Sequence, residues 1–181
     1  MRIIAGLYGK RLLVTPKSYV THPMGERIRQ AMFNSLHDKI IDAEVLDTFA
    51  GSGALGLEAL SRGAKHITFV ERDNEALRAL DQNIKSLECS DKTRISKRGV
   101  SSFVDDEKQK YDIIFVDPPY NKPQFSTVLR TMDLLKPGGF MILSYPGRGE
   151  APPSKPGIVV VDNRVYGNAA LAFYRRENDR K

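Results

Sequence analysis

A glycine-rich turn in the first third of the chain constrains its fold most strongly. Residues 47–56 read Asp-Thr-Phe-Ala-Gly-Ser-Gly-Ala-Leu-Gly, with the spacing G-x-G-x-x-G. An apolar run precedes the turn at 43–46 and a helical pattern follows it at 55–60, which predicts a strand, a tight turn and a helix. Glycine allows the backbone to approach a ligand closely, and the first N–H groups of the helix point toward that ligand. The spacing alone is a weak indication, because an ordinary strand–helix turn also carries it.

Two acidic residues give this turn a more specific meaning. The second apolar run ends at Glu71, 20 residues after Gly51. A carboxylate at that point can accept hydrogen bonds from the ribose hydroxyls of an adenosine, so the pair predicts an adenosine-containing ligand rather than a plain surface acid. This pair does not separate NAD from S-adenosylmethionine. Asp47, just ahead of the glycines, favours a ligand with an amino group, because it would repel a pyrophosphate.

Strand and helix patterns alternate through most of the chain. Strands are predicted at 67–70, 93–96, 111–116 and 140–143, and helices at 26–36, 74–87 and 125–135. This alternation predicts a parallel sheet with helices on both faces. A proline-rich stretch at 145–157 interrupts it. Two further strands, at 158–161 and 169–174, are predicted to form an antiparallel hairpin at one end of the sheet.

The composition is that of one globular domain. The chain has 181 residues, of which 41% are hydrophobic and 28% charged, and no apolar run approaches the roughly 20 residues that a membrane-spanning helix needs. Its N-terminus lacks the apolar core of a signal peptide. A single cysteine, Cys89, rules out an intrachain disulfide and favours the reducing cytoplasm. Three scattered histidines and one thiol make no recognisable metal site, so no metal is expected.

The net charge of +6 is concentrated near the N-terminus. Residues 1–30 hold the cations Arg2, Lys10, Arg11, Lys17, Arg27 and Arg29, against the single acid Glu26. Such a basic segment favours a polyanionic partner. Short apolar patterns at 2–5 and 10–14 predict a hairpin that adds little to the sheet, and a boundary is expected between a basic hairpin with its linker (1–24) and the main domain (25–181). The competing interpretation is that this hairpin packs on the core.

A second motif, Asp117-Pro118-Pro119-Tyr120, directly follows the fourth predicted strand. Ligands of open α/β sheets bind beyond the carboxyl ends of the strands, so it should face the same crevice as the glycine turn. The prolines remove N–H donors and leave rigid carbonyl acceptors, to which Asp117 adds another. This set of acceptors suits a planar –NH2 group, and the ring of Tyr120 could stack on a base. A proline-stiffened turn is the simpler alternative.

With these motifs, the chain resembles the bacterial 16S rRNA guanine-N2 methyltransferase family over nearly its full length. The resemblance lies in residues 2–6 with 10–12, 26–34, 46–60 and 116–120, and in the tail at 165–174. It implies a Rossmann-like, S-adenosylmethionine-dependent methyltransferase fold, with a mostly parallel seven-stranded sheet, a C-terminal antiparallel hairpin and an N-terminal β-hairpin. It also implies that the substrate is an exocyclic guanine amino group in ribosomal RNA or the assembling small subunit, and that the enzyme is monomeric.

The resemblance assigns roles to individual residues. The cofactor would be held by Asp47, Phe49, Gly51, Gly53, Gly56, Glu71, Arg72, Gly99, Val100 and Asp117. The target amino group would be held by Asp117, Pro118, Pro119 and Tyr120, and the RNA by the six N-terminal cations. The chain departs from the family at 22–24, where it reads His-Pro-Met, and at Gly99, where the family often carries Asp or Asn. An adenine-N6 or other amino-methyltransferase, an NAD-linked oxidoreductase and a non-catalytic RNA-binding module are the alternatives.

Overall fold

The computed structural model describes residues 1–16, 24–120, 125–147 and 151–178. Its strands are Glu44–Thr48 (β1), His66–Val70 (β2), Thr93–Ser96 (β3), Tyr111–Val116 (β4), Leu135–Pro146 (β5), Ile158–Tyr166 (β6) and Ala169–Arg176 (β7). They form one sheet in the order β3-β2-β1-β4-β5-β7-β6. The first five strands pair in parallel and β7 runs antiparallel to both of its neighbours. The predicted C-terminal hairpin at one end of the sheet is therefore confirmed.

Five α-helices accompany the strands in the described ranges. They are Glu26–Leu36 (α1), Ala54–Ser61 (α2), Asn74–Ser86 (α3), Val100–Asp106 (α4) and Phe125–Thr131 (α5). The start of α3 is capped by Asp73, whose carboxylate accepts hydrogen bonds from the N–H groups of Glu75 and Ala76, as is typical of an aspartate at an N-cap. None of these helices combines the length and apolar character that a bilayer crossing requires.

Strand β1 lies at the centre of the parallel part of the sheet and brings the carboxyl ends of three strands together. Its last residue, Thr48, stands beside Val70 of β2 on one side and Val116 of β4 on the other. The strand order reverses between β1 and β4, which is the point where ligands bind in sheets of this kind. Because Glu71 and Asp117 directly follow Val70 and Val116, the register places both acids at this edge.

Each face of the sheet has its own apolar core. Val45 of β1 joins one cluster with Phe33 of α1 and Leu80 of α3, whereas its neighbour Leu46 joins the other, with Phe103 of α4. All five of these residues are at most 2% exposed. Adjacent residues of a strand point to opposite faces, so the continuous apolar run of β1 is explained by helices covering both sides.

The C-terminal third departs from the predicted boundaries. Helix α5 ends at Thr131 and a 3-10 turn, Met132–Leu134, follows it. Phe125, predicted to lie on the buried face of this helix, is 56% exposed. The Lys-Pro-Gly-Gly sequence at 136–139, predicted to end the helix, lies inside β5, where the pairing with β4 shifts register. Glycines can mark a bulge in a strand as well as a helix end, and the sequence pattern does not distinguish the two.

The N-terminal hairpin is present, but its ladder is minimal. One antiparallel bridge joins Arg2 and Leu12, and a backbone hydrogen bond of 3.0 Å runs from the N–H of Ile3 to the carbonyl of Arg11. The side chains of Ile3 and Leu13 are 1% and 5% exposed and belong to the same cluster as the central strands. The hairpin therefore packs on the core, as the competing interpretation of the sequence held.

Buried polar groups fix the hairpin to helix α2. Glu58, whose side chain is fully buried, accepts hydrogen bonds from the N–H groups of Ile4 and Ala5 at 2.7 and 3.2 Å. The Ser61 carbonyl accepts a further one from Leu7 at 2.7 Å. Gly6 runs so close to α2 that an added Cβ would lie 1.8 Å from the Ser61 carbonyl oxygen, and its φ is +82°. Only glycine fits this close approach.

Asn83 of α3 links the hairpin to the glycine turn. Its side-chain oxygen accepts a hydrogen bond from the N–H of Val14 at 2.8 Å. Its amide nitrogen donates to the carbonyls of Val14 and Ser52, both at 3.0 Å. Ser52 lies between the first two glycines of the turn, so a single buried side chain ties the N-terminal segment to the turn. Removal of residues 1–20 would break these bonds and expose the core, although the hairpin contributes no strand to the seven-stranded sheet.

Two adjacent leucines test whether the hairpin is part of the core. Leu13 is 5% exposed and Leu12 is 79% exposed. We predict that Leu13→Ala lowers the free energy of unfolding by about 2–4 kcal/mol, since it leaves a cavity in the core. Leu12→Ala removes the same atoms from the surface and should change it by less than about 0.5 kcal/mol. Urea unfolding measures both, and equal effects would show that the hairpin does not contribute to the core.

Candidate active site

A cavity of about 830 Å³ opens at the carboxyl edge of the parallel strands. Its wall includes the glycine turn, Glu71 and the segment 117–120, and so brings together the two motifs singled out in the sequence. Two further elements close it: Met24 and Gly25 at the start of α1, and Asn168 in the turn between β6 and β7. A volume of this size lies within the range of about 300–1,000 Å³ typical of small-molecule sites.

The glycine turn adopts a backbone that few side chains allow. Gly51 and Gly53 have φ of +56° and +83°, and Phe49 also has a positive φ, +56°. A positive φ is unusual for a bulky residue and is often found at functional sites. Gly56 serves a different purpose, because an added Cβ would lie 2.3 Å from the Phe69 ring. The third glycine therefore allows α2 to pack against β2. Gly51 lines the cavity, whereas Gly53 is buried, and a Cβ added there would lie 2.4 Å from the Leu80 Cδ1.

Asp47 stabilises the start of α2. Its Oδ2 accepts a hydrogen bond of 2.8 Å from the N–H of Gly56, and the residue is 2% exposed. Burial raises the pKa of Asp47 well above its ordinary value; the Gly56 hydrogen bond opposes this shift, and the nearby Asp117 and Glu71 add to it. The residue also lines the cavity. Part of its carboxylate is thus committed to the helix, a role that the sequence analysis did not anticipate.

Glu71 is held by three backbone N–H groups. Its Oε2 accepts a bond of 2.8 Å from Gly51, and its Oε1 accepts bonds of 2.7 and 2.9 Å from Arg72 and Asp73. A carboxylate offers about four acceptor positions, so about one is left for a ligand hydroxyl. The carboxylate thus joins the end of β2 to the glycine turn and keeps a fixed orientation toward the cavity.

The segment 117–120 directly follows β4, and its acid is strongly perturbed. Asp117 is partly open to the cavity, yet the loss of surrounding water raises its pKa to about 6, an effect that Ser144 opposes by hydrogen bonding. The Tyr120 hydroxyl lies 2.7 Å from the Ser144 Oγ. Burial also raises the pKa of Tyr120, with a smaller contribution from Asp117. The prolines between them line the same wall.

Three other predicted ligand residues surround the cavity where expected. Arg72, Gly99 and Val100 all line it. Gly99 is the N-cap of α4 and has a φ of −70°, and the nearest atom to an added Cβ is the Arg72 Cδ at 3.9 Å. Space for a side chain therefore exists at Gly99, so neither packing nor backbone strain requires glycine there.

The six predicted RNA-contacting cations do not form one surface. Lys10, Arg11 and Arg27 are exposed, and Arg2 is exposed but pairs with Glu26 at 2.8 Å. Lys17 lies outside the described residues. Arg29, in contrast, is only 1% exposed, which corrects its assignment as an RNA contact.

Arg29 is buried at the cavity wall rather than exposed to phosphates on the surface. It is 1% exposed, and its Nη2 donates a hydrogen bond of 2.5 Å to the Arg2 carbonyl. Burial lowers the pKa of Arg29, and Glu58 and Glu26 oppose that shift. Its Nε has no hydrogen-bond partner in the described part of the chain. The helical pattern placed Arg29 away from the apolar stripe; the hairpin, whose docking the pattern does not reveal, covers it.

Sequence reasoning missed Ser144, Met24 and Asn168 in the cavity wall. Ser144 lies near the carboxyl end of β5, so the rule that ligands bind beyond the strand ends could have identified it. Met24 precedes α1, and Asn168 lies in the turn of the C-terminal hairpin. Both reach the cavity through the tertiary packing of these elements, for which the sequence carries no local pattern. Within the described ranges, no group of three His, Cys, Asp or Glu side chains could hold a metal ion.

Comparisons with known proteins agree with this geometry. Residues 1–175 match the family described as conserved hypothetical protein 95. A curated relative, ribosomal RNA small subunit methyltransferase D of Escherichia coli K12, is 38% identical over 141 residues, which are 78% of this chain and 69% of the relative.

Solved structures share this fold over most of the chain. The Escherichia coli protein yhhF, described as a candidate methyltransferase, superposes with a TM-score of 0.89 at 32% identity and covers 99% of both chains. A more distant neighbour, SMU.776, was solved with SAH; its TM-score is 0.63 at 13% identity, and the match covers 78% of this chain and 48% of that one. The latter likeness concerns the fold alone. Together with the sheet order, these matches confirm the expected Rossmann-like methyltransferase fold.

Two glycine substitutions test which of these glycines is required by packing. Gly56→Ala forces a Cβ against the buried Phe69 ring, and we predict that it lowers the free energy of unfolding by about 1–3 kcal/mol. Gly99→Ala meets no atom closer than 3.9 Å and should change it by less than about 0.5 kcal/mol. Denaturant unfolding compares the two. A harmless Gly56→Ala would contradict the packing role of the third glycine.

The raised pKa of Asp117 predicts a pH-dependent stability. Its pKa of about 6 in the folded protein lies above its ordinary value of 3.8, so the folded state holds the proton more tightly than the unfolded state. The free energy of unfolding should therefore fall as pH rises from about 4 to about 6. Asp117→Asn removes this loss and should stabilise the protein at pH 7 by about 1–2 kcal/mol.

Urea unfolding at pH 4 and pH 7 measures this difference. Asp91→Asn, at an exposed position, is the control and should follow the wild type. If Asp117→Asn and the wild type show the same change in stability between the two pH values, the folded-state pKa of Asp117 is not raised.

Proposed function

We propose that this protein, which belongs to the family described as conserved hypothetical protein 95, methylates small-subunit ribosomal RNA. The proposed target is the exocyclic N2 amino group of a guanine. One observation carries the proposal. The acceptors of Asp117-Pro118-Pro119-Tyr120 share a single cavity with the glycine turn and Glu71. In this proposal the methyl donor and the target amino group are held in the same cavity.

The residues on the cofactor side fit S-adenosylmethionine. Gly51, with a positive φ, lets the backbone line the cavity without a side chain, and Glu71 keeps an acceptor position for a ribose hydroxyl. Phe49 and Val100 supply apolar surface along the same wall. When bound, S-adenosylmethionine supplies an electrophilic methyl group on a positively charged sulfur. The acids Asp47 and Glu71 favour a cation at this place and disfavour the pyrophosphate of NAD.

The residues of the opposite wall prepare the amino group. The carboxylate of Asp117 and the carbonyl of Pro118 can each accept one of its two protons. Holding both protons favours a pyramidal nitrogen whose lone pair points toward the donor side. Alignment of the two reactants supplies most of the rate enhancement. The Asp117 carboxylate need not act as a strong base, because the nitrogen becomes acidic once it carries the methyl group.

The surroundings of the cavity suit a nucleotide extruded from folded RNA. The Tyr120 ring is 39% exposed and offers a stacking surface worth roughly 1–3 kcal/mol per base. A base within structured RNA must leave its stack to reach such a pocket. The exposed cations Lys10, Arg11 and Arg27 are available to phosphates, and Arg2 gains little from its exposed ion pair with Glu26. We propose that the enzyme acts as a monomer.

The alternatives receive less support from the site. An NAD-linked oxidoreductase has no use for paired acceptors beside the reacting group. A non-catalytic RNA-binding module has no reason to retain a partly open acid with a pKa of about 6 in a ligand-sized cavity, since such perturbed groups are typical of active sites. An adenine-N6 methyltransferase differs only in the base that reaches Tyr120, so product analysis must decide.

Methyl transfer to ribosomal RNA tests the proposal. Wild-type protein is incubated with S-adenosylmethionine carrying an isotopically labelled methyl group and with either naked 16S rRNA or small-subunit particles. The RNA is then digested to nucleosides for mass analysis. We predict labelled N2-methylguanosine. Asp117→Ala should reduce its formation by several orders of magnitude, whereas calorimetry should show nearly unchanged binding of S-adenosylmethionine.

The matched control is Asp91→Ala, at an exposed position outside the cavity wall, which should transfer methyl groups at the wild-type rate. Labelled N6-methyladenosine would replace the proposed target with adenine. No labelled nucleoside from either RNA substrate, in spite of S-adenosylmethionine binding, would contradict an rRNA methyltransferase.

A further inference from the structure

We propose that Ser144 is a positioning residue of the amino-group site: its hydroxyl bridges Tyr120 and Asp117 and so fixes the stacking ring relative to the acceptor carboxylate. The inference rests on the proposed function, since it concerns how the target base is held. It assigns a role to a residue of β5 that belongs to neither sequence motif.

The strand register brings the three residues together. The last parallel pair of β4 and β5 aligns Val116 with Leu143, so the next residues along these strands, Asp117 and Ser144, are neighbours. Ser144 is 3% exposed and lines the cavity. Its Oγ lies 2.7 Å from the hydroxyl of Tyr120, and its hydrogen bonding stabilises the ionised form of Asp117.

The number of protons sets the direction of this bridge. An ionised carboxylate only accepts hydrogen bonds, whereas a serine hydroxyl has one proton to donate. Ser144 must therefore donate toward Asp117, and it then accepts the proton of the Tyr120 hydroxyl. The chain Tyr120→Ser144→Asp117 orients the tyrosine ring and leaves the other carboxylate positions of Asp117 for the target amino group. Hydrogen bonds to charged groups are stronger than those between neutral groups.

The position of Ser144 in the sheet argues against a merely structural role. Its backbone pairs with Leu171 of β7, and its neighbours Leu143 and Tyr145 are both buried. An apolar residue would suit this place in a strand equally well. The hydroxyl is thus a polar group in a buried strand. Its hydrogen-bond partner Tyr120 and the carboxylate that it stabilises, Asp117, both belong to the segment 117–120.

The bridge also affects when Asp117 carries a charge. The charged and titratable groups around the cavity are Arg29, Asp47, Glu71, Arg72, Asp73, Arg98 and Tyr120. Desolvation raises the pKa of Asp117, and the group that opposes this shift is Ser144 rather than any of these side chains. Because that donor stabilises the carboxylate, its removal raises the pKa of Asp117. The acidic limb of the activity profile should then move to higher pH, which loss of packing alone would not cause.

The test compares Ser144→Ala with Ser144→Thr, which keeps a hydroxyl. Ser144→Ala should lower kcat by about 10- to 100-fold, as expected when a reacting group loses its alignment. Its KM for S-adenosylmethionine should stay within about twofold of wild type, because Ser144 touches the amino-group side. The acidic limb of kcat should rise by about 0.5–1 pH unit. Ser144→Thr should restore much of kcat and the wild-type limb.

Two further variants keep the result interpretable. Ser154→Ala removes another part-buried serine bond, from Oγ to the Ile158 carbonyl at 2.7 Å, outside the cavity wall, and should leave kcat and its pH profile unchanged. Tyr120→Phe removes the other end of the bridge. If Ser144 orients Tyr120, the double variant Tyr120→Phe with Ser144→Ala should be less impaired than the product of the two single effects.

The outcomes separate this inference from the proposed function. A wild-type protein that transfers no methyl group to RNA contradicts the proposed function. An active wild type with wild-type kcat and pH profile in Ser144→Ala overturns the inference alone. So does independence of the two substitutions in the double variant, or a Ser144→Ala protein whose only change is a lower stability in urea. A lower kcat with a raised acidic limb, restored by threonine, supports it.

Discussion

Two buried or part-buried carboxylates hold the glycine turn between two strands, and the site depends on them. Asp47 of β1 accepts the N–H of Gly56, and Glu71 after β2 accepts the N–H of Gly51. A turn with positive φ at Gly51 and Gly53 leaves N–H groups without partners in the helix, and each would be costly to bury unpaired. The acids satisfy two of them and fix the turn, so the cavity wall is formed before any ligand binds.

The same arrangement sets the electrostatics of the cavity. Asp47, Glu71 and Asp117 converge from three neighbouring strands, and burial together with mutual repulsion raises the pKa of Asp47. Like charges held close together destabilise the folded state and favour a cationic ligand that relieves the repulsion. A sulfonium donor with an amino group has this character, whereas a dinucleotide does not. The stability lost at the strand ends is thus linked to the selectivity proposed for the site.

Local patterns predicted much of this architecture. The parallel strands, the glycine turn, Glu71 and the segment 117–120 follow from apolar periodicity and from the rule that strand ends meet at one edge. The errors have tertiary causes. Arg29 lies on a helical face that looked solvated, but the docked hairpin covers it, and the glycines at 138 and 139 lie within β5 rather than ending a helix. Ser144 escaped notice because its partners come from another strand.

Asp47 and Glu71, by fixing the glycine turn, build the proposed site for S-adenosylmethionine. Calorimetric titration of the wild type with S-adenosylmethionine and, separately, with NAD tests it most directly, together with the same titrations of Glu71→Ala. We expect the wild type to bind S-adenosylmethionine saturably and not to bind NAD. Glu71→Ala should bind S-adenosylmethionine about 10- to 100-fold more weakly, the equivalent of about 1.5–3 kcal/mol for hydrogen bonds to a charged group. Tighter binding of NAD, or unchanged affinity in Glu71→Ala, would contradict it.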